Sequence, residues 1–244
     1  MSAHLSPAVA FLSWMLMTGC TEALQNEPRQ TLPPGKTEPD IVKELIDDAE
    51  QALQSGKSIS VLLSDDKYMP AHAWPRFRHL IRDHAKPGTV TMVTEKEPGE
   101  KFLFEGVVKD VQGQPISGAL IYLYHTSAKG WYSDKAAHIT GNGGDFQHAR
   151  LFTYLKTDDK GRYSFRSIRP ASYPQTDLPQ HVHVAISKPG ILQELLHTEI
   201  QFEDDPMLTA EKRKDSVRHG CVVVKPVKQK DGVFHVQADF KVGR

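Results

Sequence analysis

From Thr89 onward the apolar residues of this chain change their period. Upstream they recur at helical spacing; downstream they alternate in short runs broken by turn residues. The candidate strands are 89–94, 102–110, 119–126, 151–157, 162–168, 181–187, 196–202, 219–228 and 233–241, with turn signals at Gly113, Asp159-Lys160-Gly161 and Asp231-Gly232. Many short strands joined by turns hide their apolar faces by stacking sheet on sheet, so residues 89–244 are predicted to be mainly β, a β-sandwich. A small helical N-terminal segment, residues 40–88, precedes it. Asp40 is expected to cap a first helix whose stripe is Ile41, Leu45, Ala49, Ala52 and Leu53, stopped by Gly56. A second helix is predicted from Pro75, a good first-turn residue, with Phe77, Leu80, Ile81 and His84 buried and Arg76, Arg78 and Arg82 on a solvated face.

The first 39 residues are of another kind. Pro7 to Met17 is an uncharged stretch of eleven residues, too short to span a bilayer and similar to the apolar region of a signal peptide. It runs into Leu16-Met17-Thr18-Gly19-Cys20, which resembles a bacterial lipobox. Residues 1–19 are therefore read as a signal peptide, Cys20 as a lipidated N-terminus, and 20–39, with Pro28, Pro33, Pro34 and Pro39, as a solvated tether. That implies a lipid anchor in a bacterial cell envelope; Thr21 after the cysteine points to the outer membrane of a diderm. The plainer alternative is an N-terminal helix with a chance cysteine. Thirty Lys and Arg balance thirty Asp and Glu, so the chain lacks the basic surface on which nucleic-acid binding draws. Cys221, in a strand-like run, reads as a buried packing thiol.

The chemistry-bearing residues cluster around one strand. In Gln180-His181-Val182-His183-Val184-Ala185-Ile186 the two histidines are two apart, so they share a face. Two imidazoles on one face of an apolar strand cost desolvation unless something binds them. Tyr173 stands eight residues before His181, in a long loop over 169–180, and Tyr132 lies in another over 127–150; rigid sandwiches commonly present function on loops. Two neutral nitrogens and two phenolate oxygens form a hard, anionic donor set suited to ferric iron, unlike the two-histidine, one-carboxylate set that holds ferrous iron. Each residue alone has a blander reading. The histidines could be satisfied core groups, Tyr173 could pack on Pro174, and Tyr132 could be a sheet-edge aromatic beside Trp131. Tyr122, Tyr124, Tyr154 and Tyr163 lie within strand patterns and read as packing; His125, His138, His148 and His197 read as surface groups or neighbours of the site. Gly141-Asn142-Gly143-Gly144 lacks the Lys-Ser/Thr of a phosphate loop and reads as a flexible turn or lid.

Over residues 102–206 the chain resembles the intradiol ring-cleavage dioxygenases. The resemblance is carried, in order, by Gly106-Val107-Val108-Lys109-Asp110, Gly113-Gln114-Pro115-Ile116-Ser117-Gly118-Ala119, the tyrosine motif Tyr122 to Ser133, Ala149-Arg150-Leu151-Phe152, Thr157 to Phe165, Ile168-Arg169-Pro170-Ala171-Ser172-Tyr173-Pro174, His181-Val182-His183, and Thr198 to Pro206. It implies a ferric ion held by Tyr132, Tyr173, His181 and His183, and a catechol-type substrate cleaved by dioxygen to a cis,cis-muconate. Tyr173 matches the ligand that leaves the metal and takes a substrate proton; Tyr132 matches the one that stays.

Two positions depart from the family pattern. Leu178 stands where many members carry an arginine that offsets negative charge on the ring, and Glu199 where many carry glutamine. Arg150 or Arg169 is expected to supply the positive charge, with Trp131, Leu178 and Glu199 as pocket residues. A less positive pocket favours a neutral or amine-bearing catechol over a carboxylate-bearing one. The alternatives are a lipoprotein sandwich that binds a ligand or partner without chemistry, and a transthyretin-like structural module. The oligomeric state is left open, a homo-oligomer included.

Overall fold

A computed structural model describes residues 38–132, 149–190 and 194–243. The helical segment opens with α1 (Asp40–Gln54) and α2 (Ile59–Leu63), followed by a 3-10 turn (Asp66–Ala71) and α3 (Pro75–Asp83). Two sheets follow. The first orders β1 (Thr89–Thr91), β5 (Arg162–Ile168), β2 (Lys101–Asp110), β10 (Phe234–Gln237) and β9 (Val227–Lys228), with β11 (Phe240–Val242) also paired to β2. The second orders β4 (Leu151–Lys156), β3 (Leu120–His125), β6 (His181–Ser187), β7 (Glu194–Phe202) and β8 (Val222–Val224). A helix, α4 (Ala210–Arg218), precedes β8.

The sandwich core lies where alternation predicts. Ile121, Leu123, Val182, Val184, Ile186, Ile200 and Phe202 meet Phe102, Phe104 and Phe165, all nearly inaccessible. Phe102 and Phe202 cross the gap edge to face, with ring centroids 5.6 Å apart. The second sheet is covered on both sides, since every residue of β6 is buried. Its outer face carries Tyr122, Tyr124, Phe152 and Tyr154, and the helical segment packs there. Phe77 meets Phe152 edge to face at 6.5 Å, and His72 meets it at 5.8 Å.

Several expectations need correction. In α1 the buried stripe is Val42, Ile46, Ala49, Ala52 and Leu53, while Ile41 is 68% exposed and Leu45 half-buried. Both stripes satisfy a helical period, and contact with the rest of the fold selects the one turned by a residue. Pro39 holds the N-cap place, and Asp40 is the first helical residue, set against the positive end of the helix dipole. Leu80 of α3 and His84, its C-cap, are half-buried. Arg78 is buried rather than solvated. Its guanidinium lies 4.4 Å from the Phe152 ring centre and 5.2 Å from that of Tyr122, and it donates to the Tyr122 hydroxyl. The strand expected over 219–228 is two pieces, because Pro226 has no N–H to give a ladder. Cys221 is half-buried.

His125 is no surface group. It points into the sandwich, where its Nδ1 donates to the Thr126 carbonyl (2.7 Å) and its Nε2 accepts from the Ser167 hydroxyl of the facing sheet (2.7 Å). His72 donates from Nδ1 to the Arg150 carbonyl at 3.0 Å. Burial pushes both imidazoles down, each to about 4. An unfolded chain, with histidines near their ordinary 6.5, binds more protons than the folded one between these values, so stability falls as pH drops from 6.5 through 4. Each histidine contributes roughly 3 kcal/mol to that loss. Urea midpoints measured across this window should decline. Replacing His72 with Phe should flatten the decline by about one proton's worth; an unchanged slope would refute the assignment.

Candidate metal centre

The four residues singled out by sequence meet on the outer face of the second sheet. His181 and His183 project from β6, and the strand places Tyr124 directly opposite His183, with rings stacked at 4.4 Å. Tyr132 and Tyr173 arrive from loops and are almost fully buried, at 1% and 4% exposure.

Backbone contacts fasten the two loops to each other. The Ala171 N–H donates to Ser127 O at 3.1 Å, and the Thr126 hydroxyl donates to Ala171 O at 2.6 Å. Gly130 makes the closest approach. It has φ +77°, and a Cβ there would lie 2.1 Å from the Ser172 carbonyl oxygen, so only glycine lets the Tyr132 loop lie against the Tyr173 loop. Beyond Tyr173 the chain reverses through Pro174-Gln175, with the Thr176 N–H donating to Tyr173 O at 3.3 Å. Gln175 has φ +62°, a left-handed conformation that is strained for a residue with a Cβ.

The donor atoms are crowded. Tyr132 Oη lies 2.5 Å from Tyr173 Oη and 2.8 Å from His183 Nε2. Tyr173 Oη lies 2.8 Å from His181 Nε2 and 3.1 Å from His183 Nε2, and the two Nε2 atoms are 3.1 Å apart. His181 Nδ1 donates to the Pro179 carbonyl at 2.7 Å, so its Nε2 is a bare lone pair. His183 Nδ1 faces the Glu199 carboxylate at 3.7 Å, which favours a proton there and a lone pair at Nε2. The two phenols then bring the only hydrogens to these five contacts. At least three contacts set lone pair against lone pair, which a buried cation at the centre would relieve. Nitrogen and oxygen donors about 2.0–2.2 Å from such an ion lie roughly 3 Å from one another, as these do, so the residues present fit a metal ion of hard character.

The other candidates fall elsewhere. Arg150 donates its backbone N–H to Tyr132 O at 2.8 Å, and its guanidinium grips Glu97 with two bonds of 2.6 and 2.8 Å. Arg169 is held by Asp204 at 2.6 and 3.0 Å. Both guanidinium groups are thus matched to carboxylates. Glu199 lies on the Nδ1 side of His183, whereas the phenols lie on the Nε2 side. Trp131 and Leu178 are half-buried. His138, His148, the 141–144 glycine run and Cys20 lie outside the described residues. Glu97 was missed because it sits in a short polar stretch with no period. Among the described residues there is also a surface groove of about 630 Å³ lined by Ser60, Asp65, Thr91 and Lys96, which shares no residue with the metal centre.

Gly130→Ala tests the loop contact. It should cost about 2 kcal/mol or more of stability and lower metal uptake, read by metal analysis. Full metal content with wild-type stability would show that the approach of the two loops does not set the site.

The family model described as Dioxygenase matches residues 73–242, more than half of the chain. A catechol 1,2-dioxygenase of Candida albicans is 32% identical over 106 residues, 37% of this chain and 33% of that protein. A chlorocatechol 1,2-dioxygenase of Rhodococcus opacus is 31% identical over 143 residues, 52% of each. The matched stretches thus span a third to a half of these relatives' lengths. The crystal structure of 3-chlorocatechol 1,2-dioxygenase from Rhodococcus opacus 1CP superposes with a TM-score of 0.50 at 17% identity, covering 97% of this chain and 98% of that one, and so shares the fold. With the match over 73–242 and a mainly β fold of two sheets, the chain belongs to the intradiol ring-cleavage dioxygenase family.

Proposed function

We propose that the chain is a ferric intradiol dioxygenase that inserts dioxygen between the two hydroxyl-bearing carbons of a catechol, giving a cis,cis-muconate-type product in the breakdown of aromatic compounds. The observation that carries the reading is the convergence of two imidazole lone pairs and two phenol oxygens around one buried point. Tyr132, Tyr173, His181 and His183 would hold the ion. Bound there, ferric iron would supply Lewis acidity toward the catechol oxygens and the covalency that lets the ring react with dioxygen. Both oxygen atoms enter the product, so no external reductant is consumed.

The side chains supply geometry and proton handling. The Pro179 carbonyl fixes the His181 imidazole so that its Nε2 faces inward, and His183 Nε2 faces the same point. Tyr173 Oη, on a loop rather than a strand, would take up a catechol proton. Both tyrosines are almost fully buried, so their hydroxyls are shielded from bulk water. With leucine at 178, a neutral or amine-bearing catechol fits better than a carboxylate-bearing one.

Oxygen uptake against catechol, an aminocatechol and protocatechuate is the direct test, with ring-opened dicarboxylate as product. Tyr132→Phe should bleach or strongly shift the visible phenolate-to-iron band, and Tyr173→Phe should lower kcat by about 10²–10⁴. An unchanged spectrum and full iron content in Tyr132→Phe would sink the ligand assignment. A colourless wild type that binds catechols without oxygen uptake would favour the sandwich as a binding module, the reading to which leucine at 178 lends weight.

We also propose that residues 1–19 are removed as a signal peptide and that lipidated Cys20, through the 20–39 tether, anchors a catalytic unit of helical segment (40–88) and sandwich (89–244) in a bacterial envelope membrane. More than one acyl chain per anchor gives stable attachment. Cys20→Ser should move the protein from the membrane pellet to the supernatant; a wild type already soluble and uncleaved would refute the anchor.

A further inference from the structure

We propose that Glu199 is a positioning residue of the metal centre, acting through His183 to fix its tautomer and to hold the bound ion in its ferric state. The inference rests on the ferric reading above. Glu199 and His183 are direct cross-strand partners on β7 and β6, so the sheet, rather than a flexible loop, sets their approach. The carboxylate Oε1 lies 3.7 Å from His183 Nδ1. That is long for a hydrogen bond but close for an electrostatic contact in a largely buried setting. The other oxygen, Oε2, accepts from the Gln201 amide at 3.0 Å, which keeps the carboxylate from turning away. Gln201 is itself buried and pairs across the strands with His181, so one strand supports both histidine positions.

A carboxylate there acts twice. It favours the N–H at Nδ1, because a lone pair facing an anion is repelled, and so leaves Nε2 free to donate. It also places a negative charge one imidazole ring from the ion. Ferric iron carries one more positive charge than ferrous, so that charge stabilises the ferric state more and lowers the potential at which the ion is reduced. The donor atoms of His181, His183 and Glu199 all lie within 4.8 Å of one another, so direct ligation by Glu199 is the alternative that the test must separate.

Glu199→Gln keeps the shape and removes the charge. In the iron-loaded full chain it should weaken iron binding about tenfold yet still fill at saturating iron. Its visible band should move to longer wavelength, because a more easily reduced ion takes charge from phenolate at lower energy. At fixed potential its ferric-to-ferrous ratio should fall about tenfold, equal to about 59 mV for a one-electron couple. Glu199→Asp should restore the potential toward wild type. The pair Glu199→Asp and Glu199→Asn gives the same comparison if the glutamine variant does not fold. An unmoved band and potential, or loss of iron at saturation, overturns the proposal; the second outcome makes Glu199 a ligand. ¹⁵N shifts of labelled histidine in the metal-free chain read the tautomer without iron, and a wild-type His183 protonated at Nε2 also overturns it. A wild type that takes up no iron overturns the ferric reading itself, while the metal-free shifts still decide the tautomer role.

Discussion

Five contacts of 2.5–3.1 Å link four donor atoms that carry two hydrogens between them. Without a positive charge at the centre, lone pairs face one another in a site closed to water, where such contacts are least screened. A fold holds such a cluster only if the surrounding backbone is fixed more firmly than the cluster repels. The strand fixes the histidines through its ladder. The loops are fixed by one another, through the Gly130–Ser172 approach and the Ala171–Ser127 and Thr126–Ala171 bonds. The site is therefore a property of two loops zipped across the end of one sheet rather than of any single segment.

Burial of that sheet on both faces gives the cluster its environment. The sandwich covers the inner face, and the helical segment covers the outer one through Phe77, His72 and Arg78. Tyr122 and Tyr124 stack at 5.2 Å and carry the packing from Arg78 to His183. The helical segment is thus part of the wall of the site. Arg150 joins the two regions by bonding Tyr132 with its backbone N–H, His72 with its carbonyl, and Glu97 with its side chain. A buried pair of this kind is weak support for stability in itself; its clearer effect is to specify where Arg150 must lie beside Tyr132.

How much of this the sequence showed depended on whether a residue's role follows from periodicity or motif. The sandwich, the shared face of His181 and His183 and the turns at Gly113 and Gly161 follow from alternation and turn chemistry, and the meeting of the four donors followed from an ordered set of motifs. What escaped were pairings across the fold. Arg78 looks like a surface arginine of an amphipathic helix until a sheet rich in aromatics is placed against it. Glu97 has no neighbours in sequence that predict a buried partner. Helix α4 buries no residue, so it has no apolar stripe to betray it; its signals were Thr209, whose hydroxyl accepts from the Lys212 N–H at 3.3 Å, and Gly220 beyond its end. His125 lies inside because it falls on the odd side of β3, with Ile121 and Leu123, opposite the even side that places Tyr124 in the site.

The charge of the site follows from where the guanidinium groups went. Arg150 and Arg169 are each matched to carboxylates, and residue 178 is leucine, so positive charge at the centre would have to come from an ion bound there. If both phenols ionise on binding, they and the Glu199 carboxylate would sum to three negative charges, which a trivalent ion would balance and a divalent ion would not. Binding such an ion must expel the two phenolic protons, so affinity rises with pH while the tyrosines remain protonated in the metal-free chain. It also removes the lone-pair repulsion that the loops otherwise hold in place, so the bound ion stabilises the fold at the same contacts that define the site.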